Sequence, residues 1–162
     1  FPSDWEPDGN HKSGIDFSLI NQPFSYSCKS AVLKNGILPI SSYRTTKYKT
    51  LQEKLNYHDS PAAKPFTHYA ILVRDMDNKQ QVCIFIDKSY ISAKSLTWQE
   101  TLGVRGKNKG KVNGWKGSNN LMEMKIQKSM SDQFWYYLKW DEMIKSGACI
   151  VACKVGGPNV RL

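Results

Sequence analysis

Long apolar runs are missing from this chain of 162 residues. None approaches the roughly 18–20 residues that a membrane-crossing helix needs, so no membrane insertion is expected. Histidine is scarce: His11, His58 and His68 are the complete set. The nucleophile elbow Gly-x-Ser-x-Gly is absent, as are Gly-x-Gly-x-x-Gly, the phosphate loop ending in Gly-Lys-Ser/Thr, and His-Glu-x-x-His. Those absences remove the usual signatures of α/β-hydrolases, dinucleotide binders, nucleotide triphosphatases and zinc proteases. No Asn-x-Ser/Thr occurs, so nothing points to N-glycosylation, and no internal period suggests a repeat architecture. Acid is short as well. Asp plus Glu number 14 against 23 Lys plus Arg, which leaves a net charge of +9. That excess draws nucleic acid, acidic membranes and acidic proteins alike, and does not choose among them.

What remains is enough for one domain. Residues 1–23 hold Pro, Gly and small polar residues without a sustained period and read as an irregular arm. Residues 24–162 read as a single domain. Phe24 to Cys28 alternates apolar and polar residues as a half-buried strand does, and Pro39 and Ser41-Ser42 break the next apolar stretch. Thr46 to Tyr57 is the helix candidate, with Tyr48, Leu51 and Leu55 on one stripe and Thr46 as its cap. Phe66 to Val73 and Gln81 to Ile86 form an antiparallel hairpin around Asp77-Asn78, and their near-continuous apolar character predicts cover on both faces. Ser89 to Leu96 adds a further short strand. Leu121 to Ile126, Gln133 to Trp140 and a final segment around Cys149 and Cys153 complete the strands, with a helical turn at Asp141 to Lys145. The expected fold class is α+β: an antiparallel sheet packed on one main α-helix.

Cysteine is limited to Cys28, Cys83, Cys149 and Cys153. The even number suits disulfides in an oxidising compartment. On a strand, four residues span ~13 Å, too far for Cys149 and Cys153 to join each other. Each must then reach Cys28 or Cys83, and the preferred pairing is Cys28–Cys153 with Cys83–Cys149. Cys-x₃-Cys has no second close pair, so neither a metal nor any cofactor is expected. The opening Phe1-Pro2-Ser3-Asp4-Trp5 reads as a mature end left after removal of a leader, which makes the expected location secreted.

One charged feature has the composition of a binding element. Gly103 to Gly117 carries Arg105, Lys107, Lys109, Lys111 and Lys116 among five glycines, without an acid. It reads as a long, flexible basic loop. Such a loop can follow a phosphate backbone while Trp115 stacks on a base, or it can simply be solvated. The run Phe134-Trp135-Tyr136-Tyr137 places Phe134 and Tyr136 on one face and Trp135 and Tyr137 on the other. One face must be core; the second reads as another core face or, alternatively, a binding surface.

The order Tyr26-Ser27-Cys28, helix, antiparallel hairpin, short strand and late cysteine resembles the small secreted fungal ribonucleases. It is more similar to the ribonuclease-like effectors that powdery mildews and related plant pathogens secrete. Residues 24–97 carry the resemblance, and it implies a ribonuclease-like scaffold with residues 118–162 as a C-terminal extension. Active members use Glu, Arg and His on neighbouring strands. Here Tyr69 to Leu72 offers no Glu, Gln81 to Ile84 no Arg, and Trp98 stands about where a His belongs, leaving only His68. The resemblance therefore implies a monomeric, non-catalytic effector that binds a host protein, an immune receptor or, weakly, nucleic acid. The alternatives are an active ribonuclease or ribosome-directed toxin built on His68 with Glu53 or Glu100, and an extracellular small-ligand-binding β-barrel.

Overall fold

A computed structural model describes residues 5–7, 15–19 and 21–156. In chain order these form β1 (Trp5–Pro7), β2 (Phe17–Leu19), β3 (Ser25–Leu33), β4 (Ile37–Arg44), α1 (Leu51–His58), β5 (His68–Asp75), β6 (Gln80–Asp87), β7 (Thr97–Leu102), β8 (Val112–Ser118), β9 (Met122–Gln127), β10 (Gln133–Lys139), α2 (Trp140–Lys145) and β11 (Cys149–Gly156). The strands make two open sheets. The first has the order β1-β2-β3-β5-β6-β11, the second β4-β10-β9-β8-β7. β3 and β5 run parallel; the other pairs are antiparallel.

One core joins the sheets. Alternation along β5 and β6 sends Tyr69, Ile71, Val73, Val82, Ile84 and Ile86 inward. Facing them are Leu38, Ile40, Met122, Met124, Ile126, Phe134, Tyr136 and Leu138 of the second sheet, all in the same buried cluster. Each fully buried side chain of this kind contributes roughly 1.5–3 kcal/mol relative to exposure. The chain passes from the first sheet to the second at Asn35-Gly36, both with positive φ. The Asp77 carboxylate accepts the amides of both residues and so ties this turn to the β5–β6 turn.

The expected α+β class, with one main helix packed on a sheet, is overturned. The described residues are mostly β, and the α-helices among them are one of eight residues and one of six. The ribonuclease-like arrangement implied by the resemblance goes with it. α1 starts later than expected because Thr50, not Thr46, accepts the Glu53 amide as the cap. Of the expected arm, residues 1–4, 8–14 and 20 lie outside the described residues, while β1 and β2 within it are strands. Ser89 to Leu96 is not a strand but holds 3₁₀ turns: Asp87 accepts the Ser89 amide at the first, and Asp59 accepts from Ser92 Oγ and from the Ala93 and Lys94 amides at the second. The β5–β6 hairpin is fully covered on its inner face and only in part on its outer face, where Ala70 is buried but Leu72 is 42% exposed. No helix among the described residues is long and apolar enough to cross a membrane.

Candidate nucleic-acid interface

The glycine-rich basic segment divides into two parts. Residues 112–117 belong to β8, an inner neighbour of the edge strand β7. Residues 103–111 form the tip that joins these strands, and the tip is hydrogen-bonded to itself. Gly103 N donates to Lys111 O at 2.9 Å and Gly110 N to Gly103 O at 2.9 Å. Lys109 N and Lys111 N close a short 3₁₀ turn onto Gly106 O and Asn108 O. A Cβ at Gly103 would stand 2.3 Å from Asn108 O, so glycine there permits a close backbone approach. The expected long, flexible loop is thus a short folded tip. Arg105, Lys107, Lys109 and Lys111 are exposed on it and make no ion pair among the described residues.

Strand register gathers more cations at the same end. Thr101 pairs with Gly114, Gly114 with Gln127, Gln127 with Gln133, and Gln133 with Arg44. Lys128 follows Gln127, while Lys47 and Lys49 follow Arg44, and all four cations are exposed. The acid beside them is engaged. Asp132 accepts Lys54 Nζ at 2.9 Å, and Lys54, 1% exposed, also donates to Thr45 O at 2.7 Å and to Tyr48 O. Glu53 accepts the Lys49 amide.

The outer face of the second sheet leads away from this end. Trp135 stands opposite Lys125, Lys125 opposite Lys116, and Lys116 opposite Gln99. In the next row Tyr137 stands opposite Glu123. Trp135 and Tyr137 are half-buried, and Lys125 Nζ lies 5.1 Å from the centre of the Tyr137 ring. Glu123 pairs with Lys116 at 3.4 Å and with Lys125 at 3.6 Å. The two readings of the Phe134–Tyr137 run are thereby decided: Phe134 and Tyr136 are core, whereas Trp135 and Tyr137 belong to an outer face rather than a second core.

Trp115 does not join that face. Its register partner is the fully buried Ile126, it packs against the core, and the ammonium groups of Lys128 and Lys54 lie 5.4 and 5.8 Å from its ring centre. Its indole lies on the core side of the sheet, away from the outer face that carries Trp135 and Tyr137. Of the residues that the sequence pattern singles out, Arg105, Lys107, Lys109 and Lys111 share the tip, and Lys116 lies on the sheet face. Arg44, Lys47, Lys49, Lys125 and Lys128 enter the group only through strand pairing, which no local pattern of the chain displays.

Histidine chemistry lies elsewhere. His58 is fully buried, with Nδ1 2.7 Å from Asp59 Oδ1 and Nε2 2.5 Å from the Tyr136 hydroxyl, which reaches on to Ser42 Oγ. Lys64 Nζ approaches Nδ1 at 3.3 Å. Burial pushes His58 down to about 4, against the Asp59 hydrogen bond and with help from Lys64. Burial pushes Lys64 down to about 8, partly opposed by Asp59. Burial raises the Asp59 carboxyl, but hydrogen bonds from His58, the Lys94 and Ala93 amides and Ser92 outweigh it and hold it well below the ordinary range. With no exposed imidazole, this network ties α1 to the second sheet and presents no base to a substrate.

His68 sits beside a separate aromatic cleft of about 350 Å³ formed with Phe24, Tyr26, Phe85, Asp87 and Tyr90. Its Nδ1 is 2.8 Å from Thr67 Oγ1, and its Nε2 is 3.8 Å from Asp87 Oδ2. Glu53 is on α1, where it accepts the Lys49 amide, and Glu100 is on β7 of the second sheet; no hydrogen bond or ion pair joins His68 to either among the described residues. No group of three His, Cys, Asp or Glu suited to a metal occurs among the described residues. The four cysteines are unpaired in this structure: Cys28, Cys83 and Cys153 are on β3, β6 and β11, with Cys149 buried at the start of β11. Neither preferred pair is brought together. β5 and β6 separate Cys28 from Cys153, while Cys149 points inward opposite Ile86 and Cys83 points outward.

No protein-family model and no curated protein matches this chain.

Proposed function

We propose that the protein is a non-enzymatic binding protein that takes a single-stranded nucleic acid along the basic end and outer face of its second sheet. The observation that carries this reading is the convergence of Arg44, Lys47, Lys49, Arg105, Lys107, Lys109, Lys111 and Lys128 at one end of that sheet, where Asp132 is already held by Lys54. Phosphates supply the attraction by releasing condensed counterions, and sequence-tolerant stacking on Trp135 and Tyr137 supplies contact to bases. A folded tip fixes the backbone from which its cations project, which lowers the ordering cost of contact. Secretion and an effector role against a host belong to the same proposal, with host RNA as the target class. The open edges of both sheets do not favour the barrel reading.

Binding to a host protein is a second reading with its own observation. The outer face of the first sheet leaves Val32 43%, Leu72 42% and Ile150 62% exposed. Such a patch suits an apolar protein contact.

The test is fluorescence anisotropy of a labelled single-stranded RNA at low salt, with the recovered RNA run on a denaturing gel. Binding that weakens steeply with salt, and RNA recovered at full length, is the expected result. Absence of binding at low salt would overturn the nucleic-acid reading. Cleavage that disappears in His68→Ala would replace it with the ribonuclease reading.

A further inference from the structure

Three of the four thiols share the outer face of the first sheet. Cys83 lies between the inward-facing Val82 and Ile84, and Cys153 is its direct partner in the antiparallel β6–β11 ladder. Directly opposed Cα atoms in such a ladder are about 4.5–5.5 Å apart. A disulfide requires about 4.4–6.8 Å. The two side chains already meet: burial first, and then Cys153 through charge and a hydrogen bond, raises the Cys83 thiol above its ordinary value.

The remaining thiols lack a comparable partner. Cys28 is opposite Ala70, and Cys83 is opposite Leu72, so the whole of β5 stands between Cys28 and Cys83. Two strand spacings amount to about 9.5 Å, beyond disulfide reach. Cys149 is opposite Ile86 on the core side and is 5% exposed.

We propose that Cys83 and Cys153 form a disulfide that staples β11 to β6, while Cys28 and Cys149 remain free thiols. The bond falls where the sheet needs it. Among the described residues β11 is an edge strand whose one strand partner is β6, and its register shifts between Val151 and Cys153 and again between Lys154 and Gly156. Register shifts interrupt the hydrogen-bond ladder, so the covalent link secures an edge strand whose ladder is broken in two places.

The oxidant is a small-molecule disulfide of the glutathione class. The exposed Cys153, as thiolate, attacks one sulfur of that disulfide; a mixed disulfide forms and one small thiolate leaves. Cys83, as thiolate, then attacks the Cys153 sulfur and expels the second. Two protein thiols lose two electrons and two protons, and one small disulfide becomes two small thiols. Cys28 competes poorly, because partial burial, then the Asp16 carboxylate and Cys83, push it up to about 11. Burial pushes Cys149 up to about 12.

The experiment equilibrates the full chain with oxidised glutathione, blocks free thiols with iodoacetamide after denaturation, and maps the digest by mass. The expected result is one cross-linked species joining the Cys83 and Cys153 peptides, with Cys28 and Cys149 alkylated. The oxidised protein should melt roughly 10 °C above the reduced protein, the scale expected for closing a loop of this length. Cys153→Ser should abolish both the cross-link and that difference. A bridge through Cys28 or Cys149, or alkylation at all four cysteines, would overturn the proposal.

Discussion

On the outside of the first sheet, Val32, Leu72 and Ile150 stand exposed among three thiols; on the outside of the second, Trp135 and Tyr137 stand among Lys116, Lys125 and Glu123. Both sheets present the same kind of apolar inner face, because both must fill one core. Their outer faces are under no such constraint. The contrast teaches that a net charge of +9 is an incomplete description of this protein. Strand pairing, rather than composition, concentrates cations at one end of one sheet.

The largest way to break that contrast is to remove the support beneath the basic end. Lys54 joins α1 to the β9–β10 turn through Asp132, and to the segment before α1 through the Thr45 and Tyr48 carbonyls. Lys54→Ala deletes the buried ammonium, strands the Asp132 carboxylate and takes a donor from both carbonyls, of which Thr45 O keeps the Tyr48 amide. A loss of about 3–5 kcal/mol is expected from urea unfolding. An unchanged midpoint would show that the turn does not depend on this pair.

Acid should act next, through the link between α1 and the second sheet. His58 titrates in the native state at about 4, below its ordinary 6.5. The unfolded chain therefore takes up the proton first. This contribution is complete above about pH 6.5 and disappears as pH falls to about 4, costing up to about 3 kcal/mol. Urea midpoints measured across this interval should fall for the native sequence and stay flatter for His58→Gln. Parallel curves would remove His58 from the account.

The binding contrast is smaller in energy but more specific. Trp135→Ala should weaken binding to single-stranded RNA by about 1–3 kcal/mol, the usual value of a stacked base. Leu72→Ala, on the other sheet, should leave it unchanged. Equal effects from the two substitutions would erase the distinction between the faces.

The hairpin β5–β6 was legible because its apolar runs flank a polar turn, and the alternation of β10 could be read directly, although not which of its faces turns inward. β4 was not, because Pro39 and Ser41-Ser42 look like breaks. Proline is tolerated there since β4 is an edge strand paired only with β10. β8 was hidden by Gly114 and Gly117, which weaken strand propensity but admit close neighbours: a Cβ at Gly117 would stand 2.6 Å from the Trp98 ring. The turn at 93–95 depends on Asp59, more than thirty residues away in sequence, whereas the turn at 88–90 is capped by its neighbour Asp87. Within the candidate interface, the alternating charges of the tip were visible in the sequence, while its fixed shape and the neighbouring Arg44 and Lys128 required the register.

The decisive measurement compares two charge-matched variants in a salt titration of RNA binding. Lys107→Gln, Lys109→Gln and Lys111→Gln remove three cations from the tip; Lys34→Gln, Arg74→Gln and Lys154→Gln remove three exposed cations from the first sheet and its β3–β4 turn. Both variants carry the same net charge, so a simple attraction to the whole molecule would weaken binding equally in each. The account predicts that the tip variant lowers the slope of log K against log salt by about 2, since each lost contact to a single strand removes about 0.7. The first-sheet variant should retain the slope of the native protein. Equal slopes in the two variants would contradict a localised nucleic-acid interface.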